Sequence, residues 1–176
     1  KYAGKVIIGI AFDTDGDRVG FVSENGRICR GDHTIAALAK GIVAQQPGAA
    51  VYMNPKVCEA VYDMINGWGG VAHWGRTGYA NLRKDMKQGE AEEGLNVVFG
   101  AEDSGHVLFV DNNYFDDGMY TAIKLLISMA KTHEGIEAIA AAMPEYETAK
   151  EARPKIAAAD KAERERLMGE ILAKIK

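Results

Sequence analysis

Only two cysteines, Cys29 and Cys58, occur in the 176 residues, and they stand apart without the spacing of a metal site. Reduced thiols in a cytoplasmic protein are the simplest expectation. No apolar run approaches the roughly 20 residues that a membrane-crossing helix needs. The first residues also lack the charged-then-apolar build of a secretory signal, so no membrane partner is expected. Nor is there a basic field: the 21 Lys and Arg are scattered, lack interleaved aromatics, and leave a net charge of −4. Nucleic acid is therefore not an expected partner. An initiator Met is missing too, and Lys1 opens almost directly into a strand, the pattern expected of a chain cut from something longer. What the chain does have is 47% hydrophobic residues, enough to fill the core of one domain, or of one domain plus pieces of its neighbours.

The chain is organised around the stretch from Ile8 to Val22, in which Asp13, Asp15, Asp17 and Arg18 lie between two apolar, β-branched runs. Period and composition predict a tight loop between two buried strands. Alternation with small residues lets a folded-back loop aim all three carboxylates at one point, where mutual repulsion disfavours full ionisation without a cation. Oxygen ligands of this kind suit Mg²⁺, Mn²⁺ or Ca²⁺ and not Zn²⁺ or Cu²⁺. An Asp-rich turn that binds nothing is the ordinary alternative. An EF-hand is excluded, because Arg18 stands at the loop's sixth position, where Gly is required, and strands flank it.

Along the chain, an Asn25-Gly26 turn leads through Cys29 to Asp32, read as the N-cap of a helix carrying Ile35, Leu38, Ala39, Ile42 and Val43. A strand over 49–53, a helix around Val57 to Ile65 and a strand over 71–74 follow. Gly75 to Tyr79 opens a helix through Leu82 and Met86, and residues 87–94 read as charged and solvated. Strands at 95–99 and 107–110 enclose a second acidic, Gly-bounded loop. Asp116 or Asp117 caps a long helix whose Met119, Ile123, Leu126, Ile127 and Ala130 share one face, and Met119, Met129 and Met143 read as core residues. A short helix over 136–142 stops at Pro144, residues 145–159 read as a linker, and Asp160 with Glu163 announces a final helix bearing Leu167, Ile171, Leu172 and Ile175. Strands alternating with helices predict an α/β fold, a layered α/β/α domain with a mostly parallel or mixed sheet flanked by helices.

Two further loops carry chemistry. Glu102, Ser104 and His106 offer an acceptor, a hydroxyl and an imidazole between glycines, a set suited to the vicinal hydroxyls of a sugar, although a self-satisfied β-turn has the same composition. Arg76, Thr77 and Gly78 set an arginine and backbone N–H groups at a helix start, either a plain helix entry or an anion site. Two such loops at strand ends are what α/β sheets use to build a ligand crevice. Trp68, Trp74 and His73 read as packing residues.

These motifs resemble those of the α-D-phosphohexomutases, the family of phosphomannomutase and phosphoglucomutase. G-I-A-F-D-T-D-G-D-R is similar to the family's metal loop, G-A-E-D-S-G-H to its sugar-recognition loop, F-D-D-G-M-Y-T-A-I-K-L-L to the helix that follows, and G-R-T-G-Y to its T-G-H loop. Order and spacing agree over residues 6 to about 131. The resemblance implies that Asp13, Asp15 and Asp17 bind Mg²⁺, that Arg18 lies close to the transferring phosphoryl group, that Glu102 and Ser104 contact sugar hydroxyls, and that His106 lies near the substrate. Arg76, Thr77 and Gly78 would join the binding of a hexose phosphate, mannose or glucose phosphate. Tyr79 departs from the pattern, standing where many members have His.

Two family loops are absent from these residues, the T-A-S-H-N-P-like loop with the phosphorylated serine and the R-x-S-G-T-like phosphate loop. The resemblance therefore implies a remnant of a metal-loop domain over 1–28, a sugar-recognition domain over 29–143, and over 144–176 a linker with the first helix of a further domain. The remaining domains of the same polypeptide would be its partners, and the chain alone is expected to be inactive. Two other readings share the strand-D-x-D opening. One is an aspartate-dependent phosphatase with Asp13 as nucleophile, and the other a non-catalytic module binding sugar phosphate or metal.

Overall fold

The computed structural model describes residues 6–144, 146, 157 and 159–174. The chain divides into two units, Lys1–Tyr146 and Glu147–Lys176. In the first, β1 (Gly9–Phe12) and β2 (Val19–Val22) form an antiparallel hairpin. There follow α1 (Gly31–Val43), β3 (Ala50–Met53), α2 (Glu59–Gly67), β4 (Val71–Trp74), α3 (Tyr79–Glu93), β5 (Val97–Ala101), β6 (Val107–Phe109), α4 (Gly118–Thr132) and α5 (Ile136–Ala141). The second unit holds α6 (Lys161–Lys174).

The main sheet is mixed, in the order β4-β3-β5-β6, with β3 parallel to β4 and β5 and β6 antiparallel to β5. Alternation along each strand serves two cores. Val51, Met53, Phe99, Ala101, Val107 and Phe109 join the larger one with α1, α2, α4 and α5, whereas Ala50, Tyr52, Val97 and Leu108 meet Leu82 and Met86 of α3. A register shift beside Ala50 and Val51 skips Val98, which is why Val97 and Phe99 serve opposite faces although both are odd-numbered. This is the α/β/α layering the sequence predicts. No helix among the described residues is long and apolar enough to cross a membrane.

Several local expectations need correction. The hairpin strands are not both buried: Val19 and Phe21 of β2 enter the core, but Ile10 and Phe12 of β1 are exposed, because β1 is the outer strand of a two-stranded ribbon. Asp32 is not the cap of α1. Arg30 holds that position, and the buried Asp32 carboxylate in the first turn pairs with Arg30 and accepts the Cys58 N–H at 2.9 Å, which satisfies it where no water reaches. Residues 87–93 continue α3 and are mostly solvated as expected, but Gly89 among them is buried under Tyr52. Met119 is exposed, and the buried face of α4 is made of Gly118, Thr121, Ala122, Leu125 and Ser128 instead.

Asp117 caps α4 by accepting the Tyr120 N–H at 2.9 Å. Trp74 stacks on Tyr62, His73 stacks on Tyr52, and Trp68 packs against the larger core. In the second unit, Asp160 accepts the Glu163 N–H at 2.8 Å, and Glu163 accepts from Ala159 rather than from Asp160, a capping box closed one residue early. Apart from Tyr146, Ala157 and Ala159, the stretch read as a linker lies outside the described residues, as do Ile175 and the side chain of Leu172.

Candidate functional site

The acidic loop is built around Asp13. Its Oδ1 accepts the N–H groups of Gly16 and Arg18, each at 3.2 Å, and its Oδ2 accepts Arg18 Nε at 2.5 Å. Partial desolvation acts to raise the Asp13 pKa, but the Arg18 N–H and guanidinium prevail and hold the carboxyl below its ordinary value. Folding the loop on this strut brings one oxygen each of Asp13, Asp15 and Asp17 within 4.8 Å of one another.

Among the described residues, the buried Asp17 Oδ1 has no hydrogen-bond partner and meets only the Arg18 guanidinium, at 3.7 Å. The loop is seated on the rest of the unit by its backbone. Gly118 donates to the Gly16 carbonyl at 2.9 Å, an approach so close that a Cβ at Gly118 would lie 2.8 Å from the carbonyl oxygens of Gly16 and Arg18.

The second loop meets the first directly. Arg18 and His106 pair as an antiparallel bridge, and Val19 donates to the Gly105 carbonyl at 3.4 Å. His106 Nδ1 lies 2.5 Å from Asp116 Oδ2 and 3.9 Å from Asp17 Oδ2. Burial pushes the Asp116 carboxyl up to about 6 although the neighbouring imidazole pulls it down, and its second oxygen accepts the Val107 N–H. Asp17, His106 and Asp116 thus form a second tight group that shares Asp17 with the first. Ser104 is exposed at the tip of the turn, whereas Glu102 is buried at its foot.

Glu102 ties in the third loop. Its Oε1 accepts the Gly78 N–H at 2.7 Å and Asn54 Nδ2 at 3.3 Å, and Asn54 also holds Asp103 at 3.0 Å. Tyr79 then lies with its ring 6.4 Å from that of His106, inclined by 27°. Loops 13–18, 75–79 and 102–106 therefore converge at one end of the sheet. Arg76 is the exception among the residues singled out by sequence: its guanidinium is held by Asp85 of α3 at 2.5–3.0 Å, and among the described residues it meets neither of the other two loops. Thr77 is exposed. Two members of the site carry no sequence signal of their own. Asp116 reads only as a helix cap and Asn54 merely follows the strand over 49–53, and the sole cue to Asp116 is the doubled Asp where one suffices to cap α4.

Residues 30–146 match the family model described as phosphoglucomutase/phosphomannomutase, alpha/beta/alpha domain III. The chain belongs to this family. Over 138 residues it is 36% identical to a phosphomannomutase/phosphoglucomutase of Pseudomonas putida, an alignment covering 78% of this chain and 28% of that protein. A phosphomannomutase of Methanocaldococcus jannaschii is 31% identical over 129 residues, which cover 73% of this chain and 27% of the relative. Among solved structures, a phosphoglucomutase/phosphomannomutase family protein from Burkholderia thailandensis superposes with a TM-score of 0.65 at 29% identity, over 78% of this chain and 29% of that one. The chain thus spans less than a third of the length of these relatives. Its α/β/α layers are those of the phosphohexomutase domain III.

The acidic loop of this phosphohexomutase chain fits a divalent ion by its own chemistry. Three carboxylates offer hard oxygens at mutually close range, and one of their oxygens is buried without a hydrogen bond. Both features suit a small hard cation such as Mg²⁺.

Proposed function

We propose that this chain supplies metal and sugar recognition to an enzyme interconverting hexose 1-phosphates and 6-phosphates, with mannose or glucose phosphate as substrate. The observation that carries this reading is the junction of Arg18 with His106, which sets the acid trio directly beside the Glu-Ser-His turn. In the reaction the family resemblance implies, a phosphoserine on another part of the polypeptide passes its phosphoryl group to the free hydroxyl of the sugar phosphate, which loses its proton as the released serine oxygen gains one. The resulting bisphosphate returns its other phosphoryl group to the serine. Asp13, Asp15 and Asp17 would hold Mg²⁺, whose charge would offset that gathering on the phosphoryl group.

Arg18 uses only Nε against the loop carboxylates among the described residues, so its terminal N–H groups are left for phosphoryl oxygens. Glu102 spends Oε1 on Gly78 and Asn54, and its Oε2 makes no hydrogen bond among the described residues, which suits it to a sugar hydroxyl. Ser104 at the turn's tip adds a donor and acceptor, and Thr77 and Gly78 would border the phosphate. Against the aspartyl-phosphatase alternative stands the second loop, for whose Glu102, Ser104 and His106 beside the acid trio a phosphatase gives no reason.

Calorimetric titration with Mg²⁺ and with glucose 6-phosphate or mannose 6-phosphate tests the reading. Asp15→Asn should weaken Mg²⁺ binding about tenfold or more. Glu102→Ala should weaken sugar-phosphate binding and leave Mg²⁺ binding unchanged. Unaltered affinities in both variants would sink both assignments, and mutase turnover by the 176 residues alone would refute the proposed dependence on further domains.

A further inference from the structure

We infer that Asp116 is a positioning residue that locks the His106 imidazole in its Nδ1–H tautomer, so that Nε2 is the unprotonated nitrogen offered to a ligand. The inference rests on the reading of these loops as a sugar-phosphate site only for the identity of that ligand. The geometry comes from three contacts. Asp116 Oδ2 lies 2.5 Å from His106 Nδ1, and an ionised carboxylate can only accept, so the ring must donate there. Asp116 is itself held, with Oδ1 on the Val107 N–H at 3.3 Å and its backbone bridged to Leu108, so the carboxylate is fixed and buried before any ligand arrives.

His106 Nε2 has no hydrogen-bond partner among the described residues, while the ring keeps some exposure and faces the ring of Tyr79. A neutral imidazole free in water exchanges between two tautomers. One whose Nδ1–H is pinned by a carboxylate is a pure acceptor at Nε2, the property needed to receive a hydroxyl hydrogen from a sugar. Asp17 at 3.9 Å is too far to hydrogen-bond Nδ1 and does not compete for that proton.

Long-range ¹H–¹⁵N spectra of the imidazoles in the 176-residue chain test this at alkaline pH, with the His106 signal assigned by its loss in His106→Gln. The expected spectrum shows Nδ1 as the protonated and Nε2 as the bare nitrogen. Asp116→Asn keeps the shape and the bond to Val107, but its amide can donate to Nδ1, so the Nε2–H form should become the major one. Asp116→Glu should restore Nδ1–H at least in part. An Nε2–H tautomer in the unaltered chain, or a tautomer indifferent to Asp116→Asn in a protein whose amide spectrum shows it folded, would overturn the assignment. The readout needs no ligand, so failure of the chain to bind hexose phosphate would count against the proposed function and leave this result standing.

Discussion

Helix α4 has two apolar faces, and the bulkier one lies outside. Met119, Ile123, Leu126 and Ile127 are 64, 51, 44 and 44% exposed, whereas Thr121, Ala122, Leu125 and Ser128 are buried. Side-chain volume rather than hydrophobicity separates the two. The facing helix α1 buries Ala36, Ala37, Ala39 and Gly41, so the two backbones approach closely, and the Ser128 hydroxyl accepts the Gly41 N–H at 3.1 Å while donating to the Ala37 carbonyl at 2.5 Å. A Cβ at Gly41 would lie 2.1 Å from Ser128 Oγ and 2.7 Å from its Cα. Small residues give up transfer energy one by one, but they admit dense contact and a polar bond between helices that larger side chains would hold apart.

The largest effect should come from emptying the inner face. Leu125 is fully buried, and Leu125→Ala should cost about 2–5 kcal/mol in denaturant unfolding, since α1 and α4 are held by side chains that cannot all collapse into the gap. Next comes overfilling. Gly41→Ala should cost about 1–3 kcal/mol, because the added methyl meets backbone as well as the Ser128 hydroxyl. A neutral outcome at Gly41 would mean that the two helices can slide apart at no cost, and the contrast between the faces would then rest on Leu125 alone.

The same contrast marks where sequence reading succeeds and where it stops. Periodicity predicts that α4 exists, and the Asp117 cap fixes its start, because both are local properties of consecutive residues. Which face turns inward is decided by α1, some 80 residues away, and a hydrophobic pattern favours the bulkier stripe. The hairpin repeats the lesson: β1 and β2 are both apolar, yet only β2 has the core behind it. In the site, the acid trio and the Glu-Ser-His turn are readable because each is one short segment with a characteristic order. Asp116 is not, since its partner His106 reaches it through a bridge between Leu108 and Asp116 that no local pattern encodes. Arg76 shows the limit from the other side, since its pairing with Asp85 of α3 is not announced by the loop's own sequence.

The smallest effect should fall on the outer face. Ile123→Ser removes an apolar side chain that is already half in water, so the change in unfolding free energy should stay within about 0.5 kcal/mol. That near-neutrality is the sharper half of the comparison, because it fails in an informative way. If a second copy covers the outer face in solution, burial there adds to stability by mass action, and the melting temperature of the unaltered chain rises with its concentration. Ile123→Ser would then cost more at high concentration than at low, while Leu125→Ala would cost the same at both. Melting both variants across a hundredfold concentration range therefore separates a face that is bare in the monomer from one that is covered, and a large concentration-independent loss at Ile123 would contradict the assignment of the outer face altogether.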